Sequence, residues 1–227
     1  MHTGILGVAT LAAALLSTTA HGDETAARCP STDAAVLERF ISAECEACWS
    51  DASVAQPADG QWLLDWIVPS ARGEAAPLSS AAPAEARDRA QRALQTPPTD
   101  HRASVQRSAA RRASPLQLSV ISGPAWYGYL AVQLDAAGRV AVGASVWVAL
   151  VETVAPGTEG TAVPRELVRA LAGPLPADDL RRGQPWQYQL AMRWPETAKP
   201  ARLRARAWIE DARGRIVAMA GERCGVR

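Results

Sequence analysis

The feature that most constrains this chain is a short apolar run that leads straight into a C-x-x-C pair. Ala34 to Asp51 reads A-A-V-L-E-R-F-I-S-A-E-C-E-A-C-W-S-D, with the two thiols at Cys45 and Cys48. The apolar run predicts a buried strand. The residues after it predict a short helix that Pro57, Asp59 and Gly60 bring to an end. Two thiols on one helical turn can close a disulfide, and free amides at a helix N-terminus lower the pKa of the first thiol. Other uses of the pair fail on particular residues. Haem attachment needs His directly after the second Cys, and position 49 is Trp. A structural zinc site needs about four Cys or His ligands, and the chain has no second C-x-x-C and no paired histidines. A redox centre and a structural disulfide both remain open at this point.

At 227 residues and 48% hydrophobic content, the chain can bury one large core or two small ones. Its net charge of +1 implies no nucleic-acid partner. Ile5 to Leu16 is apolar and is followed by the small residues Ser17-Thr18-Thr19-Ala20. Residues 1–20 therefore read as a secretory signal. The run is too short to cross a bilayer, so no stable membrane span is expected after cleavage; an uncleaved anchor is the alternative. Export to a bacterial periplasm or beyond would put the cysteines where disulfides persist. The four cysteines, at 29, 45, 48 and 224, allow three pairings. If Cys45 and Cys48 pair locally, Cys29 and Cys224 are left for a structural disulfide tying the chain ends, worth about 4 kcal/mol in the chain-entropy account.

Further along, Trp62-Leu63-Leu64-Asp65-Trp66-Ile67-Val68 predicts a buried parallel strand with one polar interruption. Ser70 to Pro83 reads as loop and Ala84 to Leu94 as a surface helix. A second, arginine-bearing helix is expected over Arg102 to Arg112, its basic face in water. From Pro115 onward the texture becomes strand-like: Leu116–Ile121, Tyr127–Leu134, Val140–Val151, Trp186–Arg193, Arg202–Glu210 and Arg215–Ala220. Asp135 to Val140 and Asp211 to Ile216 share a turn signature in which Gly138 and Gly214 close short hairpins. Pro164 to Ala172 fits helix and strand equally. A strand that hands a C-x-x-C to a helix is the thioredoxin arrangement. The expected fold is therefore α/β plus all-β: a reduced thioredoxin-like unit over 29–113 and an antiparallel β-sandwich-like unit over 114–227.

Leu37 to Cys48, L-E-R-F-I-S-A-E-C-E-A-C, resembles the E-L-F-T-S-x-G-C-x-x-C segment that opens a family of exported bacterial thioredoxin-like proteins, domain-of-unknown-function family 1223. Ala86 to Pro97 is similar to that family's R-Q-x-x-Y helix and the Y-T-P-Q after it, and Leu167-Val168-Arg169 to part of its C-terminal half. The resemblance implies a thioredoxin fold with a β-rich appendage and a place in the bacterial envelope. It also implies that Thr96-Pro97 lines the backbone of a bound substrate. The chain departs from the family at Trp49-Ser50-Asp51-Ala52 and at Trp66 to Ala71, and Pro98-Thr99-Asp100-His101 stands where an apolar strand is usual.

Three functions follow from different classes. In a thiol-disulfide oxidoreductase, Cys45 and Cys48 are the catalytic pair, Cys45 exchanging with thiols or disulfides of other exported proteins and Cys48 resolving the mixed disulfide. Glu44 and Glu46 would then raise the pKa of the attacking thiol. In a redox-inactive binding or scaffolding module of the envelope, the fold survives without the chemistry. A metal-handling protein would have to rely on two thiols and His101. A hydrolase is less favoured still, since there is no G-x-S-x-G and a triad would have to use His101 or His21. The first is favoured, and neither a cofactor nor a metal is implied by it.

Overall fold

The computed structural model describes Met1, residues 35–108 and residues 116–222. The rest of the signal segment, Cys29 and Cys224 lie outside the described residues, and with them the expected disulfide between the chain ends. In chain order the elements are β1 (Ala35–Ser42), α1 (Glu46–Ser50), β2 (Trp62–Val68), α2 (Glu85–Leu94), β3 (Arg102–Ser108), β4 (Gln117–Trp126), β5 (Tyr129–Ala137) and β6 (Ser145–Val154). They continue with β7 (Arg165–Leu175), α3 (Asp178–Arg182), β8 (Trp186–Arg193), β9 (Leu203–Glu210) and β10 (Ile216–Gly221). Seven strands form one sheet in the order β10-β9-β6-β7-β2-β1-β3, and β4-β5-β8 form a second.

This arrangement corrects the expected fold class. The molecule is mostly β, and it is neither a thioredoxin α/β unit nor such a unit joined to a separate sandwich. The reason lies at the open edge of β2. An apolar strand with an unpaired edge is a hazard, and here β7 covers it in parallel, with Asp65 opposite Leu167. β6 and β9 then extend the same sheet antiparallel, so strands from both halves of the sequence share one hydrogen-bonded layer. Helices that would coat both faces of a thioredoxin sheet are reduced to the ten residues of α2 and the five of α1.

Two local expectations change with it. Arg102–Ser108 is not a helix but an edge strand, antiparallel to β1 over the register Ala35↔Ser108 to Ile41↔Arg102. Its polar side chains are tolerated because an edge strand is half solvated, and Arg107 reaches inward to the buried Glu38 at 2.6 Å. The two similar turn signatures also part company. Asp211–Gly214 closes the β9–β10 hairpin, with Gly214 at φ 72°. By contrast, Gly138 follows a strand of the second sheet and leads to β6 in the first, so it marks a crossing between layers.

Alternation along β6 shows how the layers are filled. Val146, Val148 and Leu150 face a core shared with Val132 and Leu134 of β5 and Ala205, Ala207 and Ile209 of β9. Trp147, Ala149 and Val151 face the opposite way, towards Leu64, Trp66 and the Ala86 and Ala90 stripe of α2. β1 and β2 are buried on both faces as well, which is why β2 is a nearly continuous apolar run and the charges of β1, Glu38 and Arg39, are each paired. A third, smaller core of Ile41, Ala43, Trp49, Ile67, Ala76, Val154 and Leu167 sits where β1 ends. That end of the sheet carries the C-x-x-C.

Candidate functional site

Cys45 and Cys48 form a disulfide, with their Cα atoms 5.2 Å apart. Cys45 caps α1, and its sulfur accepts from the Cys48 amide at 3.2 Å. Both residues are half-buried. They differ in what they touch, because Cys48 packs against the small apolar core around Trp49 and Ala76, to which Cys45 does not belong. The bridge therefore has its Cys48 end packed on an apolar core and its Cys45 end at the helix cap.

The surrounding loops converge on the same strand end. Ser42 at the end of β1 donates its hydroxyl to the Thr99 carbonyl at 2.7 Å and its amide to the His101 carbonyl at 3.0 Å. Thr96, exposed, and Pro97, half-buried, lie a few residues earlier in this loop. The loop carrying them is thereby tied three residues upstream of Cys45, although no hydrogen bond joins Thr96 to the disulfide. The cis peptide among the described residues is Gly173–Pro174, so Thr96–Pro97 is trans. From the other side the Leu78 amide donates to the Ala43 carbonyl at 3.1 Å. Glu44 does not stand as an unopposed charge beside Cys45, since Arg72 pairs with it at 3.0 Å.

Behind the disulfide lies a group of fully buried charges. Asp65, the polar interruption in β2, accepts two hydrogen bonds from Arg39 of β1 at 2.6 and 2.7 Å. It also lies 3.4 Å from Arg165 at the start of β7, and it accepts the Glu166 amide at 2.8 Å. Arg165 reaches forward to α1, donating to the Trp49 carbonyl at 2.6 Å and the Cys48 carbonyl at 3.3 Å. Its guanidinium stacks 5.0 Å from the Trp49 ring, a cation–π contact favoured in a dry site. Arg39 holds the Ala55 and Pro164 carbonyls, each at 3.1 Å. The last carbonyls of a helix have no partner within it, and Arg165 supplies one. Burial lowers the pKa of Arg165, Asp65 offsets part of that, and the neighbouring Arg39 adds to it; a guanidinium nevertheless stays protonated.

The outer end of α1 is held too. The Trp49 indole donates to the Glu159 carbonyl at 2.7 Å, and Glu159 is itself clamped by Lys199 at 2.5 Å and Arg202 at 2.6 Å. Asp51, directly after the helix, pairs with Arg102 of β3, and that hydrogen bond holds its carboxyl below the usual carboxylate range. Sequence reasoning singled out the cysteines and noted the polar break at Asp65, but it gave no role to Arg39 or Arg165 and set Arg102 on a solvated helix face, whereas it stands on β3 and pairs with Asp51. A signal was present, since a charged residue inside an otherwise apolar strand needs a buried partner, and Arg39 and Asp65 are such residues. An open cleft of about 730 Å³, lined by Leu116, Ser119, Asp135, Trp186 and Met219, belongs to the second sheet and does not border the disulfide.

No protein-family model matches the chain, and no curated protein matches it. Among solved structures it is similar to HBP35 of Porphyromonas gingivalis, at 8% identity over 86% of this chain and 76% of that one, with a TM-score of 0.46. Among the described residues no helix is long and apolar enough to cross a membrane.

Proposed function

We propose that this chain is an exported thiol-disulfide exchange protein that works through Cys45 and Cys48. The observation that carries the reading is the asymmetry of a half-buried disulfide at the start of a helix held rigidly from behind. A thiolate of another exported protein attacks Sγ of Cys45. As the new bond forms, the Cys45–Cys48 bond breaks and its electron pair leaves on Sγ of Cys48. A second thiol of the partner completes the exchange. The partner leaves as a disulfide, and this chain takes up its two electrons and two protons. In this reading the loop of Thr96 and Pro97, tied to Ser42 through the Thr99 carbonyl, borders the partner's backbone during that step.

The test uses single-cysteine variants of the mature chain in envelope extracts. Cys48→Ser should trap mixed disulfides through Cys45, and Cys45→Ser should trap few or none. Equal trapping by the two variants, or no trapping by either, would remove the enzyme reading. A second reading, a redox-inactive binding module, draws on a different observation. The β4–β5 hairpin tip exposes Trp126, Tyr127 and Tyr129 at 72%, 85% and 45%, and exposed aromatic groups of that size mark contact surfaces. Tyr127 also adopts φ 46° there, a conformation that tyrosine rarely takes. Retention of partners by a variant lacking both cysteines, and their loss in Trp126→Ala, would favour the module.

A further inference from the structure

We propose that the excess positive charge buried behind the disulfide stabilises the Cys48 thiolate, so that Arg165 makes the pair a stronger oxidant than Glu44 and Glu46 alone would allow. The inference rests on the exchange reaction proposed above and specifies which way its equilibrium leans. Its basis is a charge count. Arg39, Arg165 and Asp65 are all 0–1% exposed, and among the described residues the two cations share one carboxylate. The carbonyls of Cys48, Trp49, Ala55 and Pro164 satisfy the guanidinium hydrogens, but they carry no net charge.

Nearby acidic groups are committed elsewhere. Glu166 directs its carboxylate to Arg206 at 2.7 Å and to the Thr153 hydroxyl at 3.2 Å. Asp51 is paired with Arg102, Glu44 with Arg72, and Glu159 with Lys199 and Arg202. Glu46 lies on the exposed first turn of α1, where water screens it. A buried charge without a counter-charge is costly. Reduction supplies the missing anion, because the electron pair of the broken bond arrives on Sγ of Cys48, the residue whose own carbonyl Arg165 holds. A fixed cation held on the backbone of the same half-buried residue stabilises a nascent thiolate there more than it would in bulk water. The reduced form gains and the oxidised form does not, which shifts the pair towards accepting electrons. Arg165 acts through Cys48 and is a positioning residue rather than a catalytic one.

The experiment equilibrates the full mature chain with glutathione redox buffers and reads the fraction of Cys45–Cys48 reduced. Arg165→Gln should lower the equilibrium constant for reduction about tenfold, equivalent to about 30 mV more negative. Arg165→Lys keeps the charge and loses the forked hydrogen bonds, so its constant should stay within about threefold of the parent. Asp65→Asn removes the counter-charge and should move the constant the opposite way from Arg165→Gln. Thiolate absorbance of the reduced Cys48 should follow the same order. If Arg165→Lys shifts as far as Arg165→Gln, or Asp65→Asn shifts in the same direction, the arginine acts only by holding the helix and the proposal is overturned. Should the buried variants fail to fold, Arg102→Gln on the half-exposed pair frees the Asp51 carboxylate beside α1. It should lower the constant by about twofold, and an unchanged constant there overturns the proposal as well. The glutathione equilibrium needs no protein partner. Absent trapping with shifted constants would refute the exchange function alone, whereas unchanged constants with normal trapping would refute only the charge effect.

Discussion

β1 and β2 have a buried ionic network on each face, and the two networks are built differently. On the face under α2, Glu38 and Glu210 meet Arg89 and Arg107, two carboxylates against two guanidinium groups. Arg89 spans both acids, at 2.8 and 2.6 Å, and the indole groups of Trp66 and Trp208 donate to the same two carboxylates. On the face behind the disulfide, Asp65 is the one carboxylate among the described residues that pairs with Arg39 and Arg165. The first network is balanced, and its arginine comes from a helix and locks that helix to the sheet. The second is unbalanced among the described residues, and its arginine holds backbone next to the Cys45–Cys48 disulfide. Burying charge in itself adds little stability. What differs is what the arginine holds: a helix locked to the sheet on one side, the backbone of Cys48 and Trp49 on the other.

The largest expected effect distinguishes the two networks by stability. Arg89→Met leaves Glu38 and Glu210 buried without their shared cation and should cost roughly 3–5 kcal/mol in denaturant unfolding. Arg165→Met leaves Asp65 still paired with Arg39 and removes the surplus charge, so it should cost less, about 1–3 kcal/mol for the orphaned helix carbonyls. Equal losses would break the comparison.

The pH dependence sharpens it further. Burial pushes the Glu38 carboxyl up, but the Arg89 charge and hydrogen bond, with Arg107 and Trp66, bring its pKa below the ordinary 4.5. A depressed carboxyl contributes stability that is present above pH 4.5 and is lost as pH falls through the folded value. Burial raises the pKa of Glu166 above 4.5, against the opposing pull of Arg206. Its contribution has the opposite sign, present below pH 4.5 and lost as pH rises through the folded value. Glu38→Gln should flatten the acid limb of the stability profile, and Glu166→Gln should flatten the loss on the rising side. Urea midpoints measured across both ranges check the two signs.

Smaller effects test the outer clamp and the exposed tip. Trp49→Phe keeps the ring but removes the hydrogen bond to the Glu159 carbonyl, and should cost about 1 kcal/mol with faster amide exchange in residues 155–164. Tyr127→Gly relieves a positive φ at a turn that touches neither network. It should leave the melting temperature unchanged or slightly raised, equivalent to under about 1 kcal/mol. A large loss there would show that the hairpin supports the core.

Much of the secondary structure was determined by the sequence alone, because periodicity and turn chemistry act locally. β2 and β8 begin and end where the apolar and alternating patterns do, α2 does so to within a residue, and Cys45 and Cys48 stand at a strand-to-helix junction as their spacing implies. Arg102–Ser108 misled for the same reason: a polar, arginine-rich stretch carries no strand signal of its own, and only pairing with β1 makes it one. The fold class was decided by the tertiary structure. Whether β2 ends a small sheet or continues into β7 depends on residues about 100 positions apart in the chain, and no local pattern encodes that adjacency. The charged site follows the same rule. Arg39 beside Glu38, Asp65 alone in its strand and Arg165 beside Glu166 share no local pattern, and they become one buried group behind Cys48 because the sheet order β7-β2-β1 brings their side chains to a single face.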